Sequence, residues 1–301
     1  MKANLFTDTG TALITPLTSN GTFDEKAFQR QIQRQIEGGV NFIVPVGTTG
    51  QSPTVDFDEH TRVIQCAVEF ADGKIPVLGG TGGNATAEAI RLTKLAAKAG
   101  VNGSLQVVPY YNKPTPEGLF QHFSAIAQAV PDLAMILYNV PGRTGVDMGV
   151  DVVERIVNAN ENVVGIKEAS GSSDRVSQLR AALGPDFNIL SGDDSLTLPF
   201  MAVGAQGVIS VASNVIPKEV SEMVRQASEG CFLAAREMHA RLFRLFKVLF
   251  VETNPQPVTY AMYCLGLDGG TMRLPMVSVT DSSKKLIRQT LKDLGLEVVC
   301  E

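Results

Sequence analysis

The chain has 301 residues, 44% hydrophobic and 19% charged, with a formal net charge of −5. That length suits two ordinary domains or one large α/β barrel with an extension, and the composition excludes a wholly disordered chain. The acidic balance argues against nucleic acid as a partner, because phosphates require basic side chains to neutralise them.

Short apolar, β-rich runs alternate with longer helical patterns along the chain. TALITPL (11–17) is the first strand run, followed by the helical DEKAFQRQIQRQIEGG with Asp24 as its N-cap. NFIVPVG (41–47) and IPVLGG (75–80) are the next strands, and the helical ATAEAIRLTKLAAKAG ends on Gly100 as a C-cap. GSLQVVPY (103–110), LAMILYNV (133–140), VVGIKEAS (163–170), FNILSGDD (187–194) and GVISVAS (207–213) complete eight strands. Eight strand–helix repeats predict a parallel sheet, since parallel strands need crossover connections, and eight is the number that closes a (β/α)8 TIM barrel. A doubly wound open sheet is the competing α/β architecture. From about 215 to 301 the pattern is helical. The expectation is a (β/α)8 catalytic barrel over residues 1–230 and a C-terminal helical extension over 231–301.

The N-terminal MKANLFTDTGTALITPLT interrupts its apolar residues with threonine, aspartate and glycine, and does not read as a secretory signal. No apolar run has the length of a membrane span; LFRLFKVLFV is broken by Arg244 and Lys247. Cys66, Cys231, Cys264 and Cys300 form no CxxC pair, so the expectation is reduced thiols in a soluble, cytoplasmic protein. His60, His122 and His239 show no metal-binding spacing, and no metal is expected. GTGGNA (80–85) loosely fits a dinucleotide fingerprint, but it follows the third strand and no acidic residue ends the next one.

Lys167 stands in an otherwise apolar strand. Strand alternation puts Gly165 and Lys167 on one face and Val164 and Ile166 on the other, which suits helix packing. Lys167 would then point into the barrel near its C-terminal mouth, where such barrels do chemistry. Burial lowers the pKa of an amine, and a neutral amine can attack a ketone to form a Schiff base. The alternatives are a snorkelling lysine or a pair with Glu168, although alternation turns Glu168 to the opposite face. Tyr138 shares the inward face of the preceding strand and could shuttle protons, or be a core tyrosine. Arg143 on the following loop suits a substrate carboxylate, or is a surface arginine. Thr48 and Thr49 in VGTTGQS offer hydroxyls and N–H groups on a glycine-flanked turn. Tyr110 and Tyr111 stand together in VPYYNKP, at the rim or at an oligomer contact.

GTTGQS, YYNKP, YNVPGRTG, GIKEAS, LSGDD and GVISVAS occur in this order. With these motifs the chain resembles the dihydrodipicolinate synthase family, in the pyruvate-dependent class I aldolase superfamily that includes N-acetylneuraminate lyase. The resemblance runs from about residue 6 to about 298 and includes LFVETNPQPVTYAMYCLGL and TMRLPM. It implies that Lys167 forms a Schiff base with pyruvate. It implies a proton relay of Tyr138, Thr48 and Tyr111, the last reaching in from the neighbouring subunit of a tight dimer. Thr49 and Ile209 match pyruvate-binding positions, Gly192 lies near the substrate, and Arg143 matches the residue that binds the carboxylate of L-aspartate-4-semialdehyde. The implied reaction condenses these two substrates on the diaminopimelate route to lysine, without metal or organic cofactor, in a homotetramer built as a dimer of dimers.

Ser52, His60, Asn84, Glu88 and Tyr110 match the cleft where lysine-inhibited members bind lysine. Phe57 stands where histidine is frequent and Pro53 where alanine is common, so the expectation is weakened inhibition. Gln51 replaces a usual glutamate, and Gly142 a common serine. A related 2-keto-acid or sugar-acid aldolase or lyase, and a non-catalytic sensor of pyruvate or lysine, are the competing functions; Arg143 in its YNVPGRTG context argues against the first, and the intact set of Lys167, Tyr138, Thr48, Tyr111 and Arg143 against the second.

Overall fold

The computed structural model describes residues 3–300. Met1, Lys2 and Glu301, at the outer ends of the two expected regions, lie outside the described residues. The first part comprises β1 (Asp8–Ala12), α1 (Glu25–Glu37), β2 (Phe42–Val44), α2 (Phe57–Ala71), β3 (Leu78–Gly80) and α3 (Thr86–Ala99). Next come β4 (Gly103–Val107), α4 (Pro116–Ala129), β5 (Ala134–Asn139), the short α5 (Pro141–Thr144) and α6 (Val150–Ala159). The ring is completed by β6 (Val163–Glu168), α7 (Ser173–Leu183), β7 (Asn188–Ser191), α8 (Thr197–Ala202), β8 (Gly207–Ser210) and α9 (Pro217–Ser228). Three further helices follow: α10 (Phe232–Val248), α11 (Gln256–Cys264) and α12 (Asp281–Asp293).

The strands pair in parallel in the order β2-β1-β8-β7-β6-β5-β4-β3. A parallel bridge from Ile43 to Val77 joins the two ends, so the sheet closes into a barrel and the open-sheet alternative falls. Asp24 caps α1 by accepting the Ala27 N–H, and Gly100 ends α3 at a φ of 96°, where only glycine is unstrained. The first strand begins earlier than its apolar run suggests. Its DTGTA stretch hides Thr9 and Thr11, both fully buried, and the Thr11 hydroxyl donates to Gln35 at 2.7 Å. Most of the other strands end two or three residues before their apolar runs do, and the last residues of those runs lie in the segments that follow the strands.

The barrel interior is one cluster. Val44, Leu105, Ile136, Tyr138, Leu190 and Ile209 point into it, while Ile43, Leu137, Ile189 and Val208 pack outward against helices. Strand β6 departs from simple alternation. The β5–β6 register pairs Met135 with Val163 but Ile136 with Gly165, so Val164 is an extra, bulged residue. Val164 therefore packs against the interior cluster, not on the helix face with Ile166, as alternation alone predicts. Val163 and Ile166 both face helices, and regular alternation resumes before Lys167.

Helices α10–α12 pack with β8 and α9 into one buried cluster that includes Leu245, Phe246, Met262 and Leu291. Among the described residues no helix is long and apolar enough to cross a membrane.

Candidate active site

Lys167 lies in the interior near the C-terminal end of β6 and is only 6% exposed. It opens into a cleft at the barrel mouth, lined also by Tyr138, Thr48, Thr49, Val44 and Leu105. Burial among these groups pulls the Lys167 pKa down to about 8; Asp194 acts to raise it and Arg143 to lower it further. The neighbouring Glu168 points the other way, fully buried. It pairs with Arg175 at 2.7 Å and accepts the Ser170 N–H at 2.7 Å and the Asn139 amide at 3.2 Å. Glu168 is thus committed elsewhere, and neither a snorkelling lysine nor a Lys167–Glu168 pair describes the site.

Tyr138 sits beside Lys167 in the β5–β6 register. Burial raises its pKa, opposed by the Arg143 charge and by the nearby Thr48 hydroxyl. Thr48 is delivered by the loop after β2, which turns sharply at Val46 with a φ of 52°, a strained value for a β-branched residue. Glycine at position 80 allows this turn, since a Cβ there would meet the Val46 carbonyl oxygen at 2.4 Å. Thr49 is buried, and its hydroxyl accepts the Asn254 side-chain amide at 3.1 Å. The Asn254 carbonyl in turn accepts from Arg143 Nη2 at 3.0 Å. Arg143 and Thr48 also line an adjoining cavity with Ser52, Tyr110 and Val140.

Ile209 is fully buried in the same interior cluster as Tyr138. Gly192 presses on the lysine: a Cβ there would lie 3.1 Å from Lys167 Cε and 2.7 Å from Ala169 Cβ. Two residues that the sequence reading assigned no role belong to this site. Asp194 accepts from the Ser210 hydroxyl and, at 3.0 Å each, from the Val211 and Ala212 N–H groups, holding the loop after β8. Burial raises its pKa to about 6. Its signal was present in LSGDD, a second carboxylate at a strand end, which follows the same logic as Lys167. Asn254 carried no such signal, because it lies far along the chain in a helical region.

Tyr111 does not join Lys167 within its own chain. It is 90% exposed, at a left-handed φ of 74°. Ser52, His60, Glu88 and Tyr110 line a separate cleft, and Asn84 donates to the Tyr110 carbonyl at 3.2 Å beside it. Phe57 walls this cleft, with the Arg91 guanidinium 4.6 Å above its ring. His60 Nε2 lies 2.9 Å from the Gly80 carbonyl oxygen, and burial lowers its pKa. Gln51 accepts the Arg273 N–H at 3.2 Å, while the Arg273 guanidinium pairs with Glu59. Among the described residues no group of three His, Cys, Asp or Glu side chains is arranged to hold a metal ion.

The sequence model of the Dihydrodipicolinate synthetase family matches residues 5–294. The 4-hydroxy-tetrahydrodipicolinate synthase of Persephonella marina is 53% identical over 286 residues, covering 95% of this chain and 97% of that protein. The crystal structure of dihydrodipicolinate synthase from Aquifex aeolicus superposes with a TM-score of 0.96 at 47% identity, covering 98% of this chain and all of that one. The DHDPS of Cyanidioschyzon merolae, solved with lysine bound, superposes with a TM-score of 0.94 at 40% identity, covering 97% of this chain and 99% of that one.

Proposed function

The chain belongs to the dihydrodipicolinate synthetase family, and from that premise we propose that it condenses pyruvate with L-aspartate-4-semialdehyde through a Schiff base on Lys167. The observation that carries the assignment of Lys167 is its burial at the barrel mouth with a pKa of about 8. At pH 7.4 about a fifth of such an amine is neutral and nucleophilic.

Lys167 Nζ attacks the pyruvate ketone to give a carbinolamine. Tyr138, with the Thr48 hydroxyl beside it in the cleft, moves the protons that let water leave and the iminium form. The iminium withdraws electrons, so the methyl group gives up a proton and becomes an enamine. The enamine carbon attacks the aldehyde. The amino group of the second substrate then closes onto C2 and displaces Lys167. Arg143, anchored on the Asn254 carbonyl, receives the carboxylate of the second substrate. Thr49, Ile209 and Gly192 shape the pyruvate end, and the protruding Tyr111 completes the relay of a neighbouring subunit in a homotetramer. The reaction takes place in the cytoplasm.

The cleft of Ser52, His60, Glu88 and Tyr110, with Asn84 at its edge, takes lysine as a feedback inhibitor of weakened affinity. Glu88 supplies the carboxylate for an ammonium group, while Phe57 replaces a polar wall. An assay showing full activity at millimolar lysine would remove this part of the reading. The main test is borohydride reduction with pyruvate, read by peptide mass spectrometry. An adduct on Lys167 supports the mechanism; an adduct on another lysine, or none, overturns it.

A further inference from the structure

At the far end of α11 from the active site, two thiols meet. Cys264, the last residue of α11, has its Sγ 2.7 Å from Sγ of Cys300, near the end of the chain. That is about 0.7 Å longer than a disulfide bond, and both thiols are free. The tail is already in register, since the Val299 N–H donates to the Cys264 carbonyl at 2.8 Å. Leu296 and Val298 pack into the cluster that contains Cys264. The Tyr260 hydroxyl lies 4.0 Å from the Cys300 sulfur and accepts from Arg288 at 2.6 Å. We propose that Cys264 and Cys300 are a site of reversible oxidation, at which an intrachain disulfide staples the C-terminal segment onto α11.

The oxidant class is a hydroperoxide. Cys264 is buried and Cys300 is partly exposed, so the two sulfurs have different roles. Burial pushes the Cys264 thiol up to about 12, which keeps it protonated until it reacts. The Cys300 sulfur attacks the peroxide, the O–O bond breaks, and an alcohol or water leaves behind a sulfenic acid on Cys300. The Cys264 sulfur then attacks that sulfur. The S–S bond forms, the S–O bond breaks, and the departing hydroxide takes the Cys264 proton and leaves as water. Two thiols lose two electrons and two protons, and the hydroperoxide gains both. A small dithiol restores the thiols by exchange.

The staple acts on the helix that begins just after Asn254, whose amide and carbonyl hold Thr49 and Arg143. Closing the loop between Cys264 and Cys300 restricts the unfolded chain and resists detachment of this helix. The exposed Cys231 would confuse a thiol count, so the test uses the Cys231→Ser protein. Treatment with hydrogen peroxide should lower its denatured thiol count from three to one. A peptide map without reductant should then join the segments containing Cys264 and Cys300. The melting temperature should rise by roughly 5–10 °C and fall back on adding a dithiol. Cys300→Ser, added to this protein, should abolish both changes while keeping the reduced protein's activity. Three surviving thiols in folded protein, a cross-link to Cys66, or a cross-link that leaves the melting temperature unchanged would each overturn the proposal.

Discussion

The Lys167 amine stands 4.4 Å from the centroid of the Tyr138 ring, on the next strand. The ring face attracts an ammonium weakly, whereas burial in the barrel interior disfavours it far more. The balance is a lysine pKa of about 8 and a phenol whose pKa is raised by the same burial. In the proposed mechanism, one burial event thus lowers the pKa of the Lys167 amine and keeps the Tyr138 phenol protonated at neutral pH.

A pH profile follows from this balance. If Lys167 is the proposed nucleophile, only its neutral amine attacks pyruvate, so the rate of borohydride-trappable adduct formation should rise about tenfold per pH unit below 7 and level off above about 8. Trapping from pH 6 to 9.5 measures it. A rate independent of pH across that range would remove Lys167 deprotonation as the controlling step.

The same depression destabilises the fold. Between about 8 and the ordinary lysine value of 10.5, the unfolded chain carries a proton at this position that the folded one does not. Stability should therefore rise with pH across that window, and below about 8 the penalty is present in full, roughly 3 kcal/mol. Lys167→Met should be inactive yet melt higher than the parent at pH 7, with the advantage gone near pH 10.5. A lower melting point at pH 7 would show that the lysine contributes packing that methionine cannot replace.

The barrel was legible because its two signals are local: apolar runs at strand spacing and helix stretches with caps at Asp24 and Gly100. Lys167 was legible for a related reason, as a charge where the pattern demands an apolar side chain. The bulge at Val164 was not, because it depends on how β6 registers against β5, a long-range pairing. Asn254 was hidden likewise, since its role exists only once α11 is laid against the mouth of the barrel. Tyr111 shows a different limit. Its motif was recognisable, but on its own chain it points into solvent, 90% exposed.

Gly192 is required for space and not for an unusual backbone angle. A methyl group there would crowd Lys167 Cε at 3.1 Å and Ala169 Cβ at 2.7 Å. Gly192→Ala should push the lysine off its line of attack and lower the rate of adduct formation about tenfold or more, with the fold kept. Circular dichroism and the trapping rate check this together. A folded Gly192→Ala protein that traps pyruvate at the parent rate would show that the lysine has slack the packing does not suggest.

Arg143 should separate the two half-reactions. It reaches the mouth of the site from α5, held by the Asn254 carbonyl at 3.0 Å, and lines the cavity next to that of Lys167. Its bidentate donors suit the carboxylate of the aldehyde substrate, so Arg143→Gln should lower kcat/KM for that substrate by about 100-fold or more. Pyruvate trapping should survive, because Lys167 and Tyr138 are untouched. Arg143 also acts to lower the Lys167 pKa. Removing the charge should therefore move the midpoint of the trapping profile above about 8, whereas Arg143→Lys should hold it near 8 while still losing aldehyde affinity. If Arg143→Gln instead abolished pyruvate trapping at every pH, the arginine would be needed to build the lysine site itself, and its assignment to the second substrate would fail.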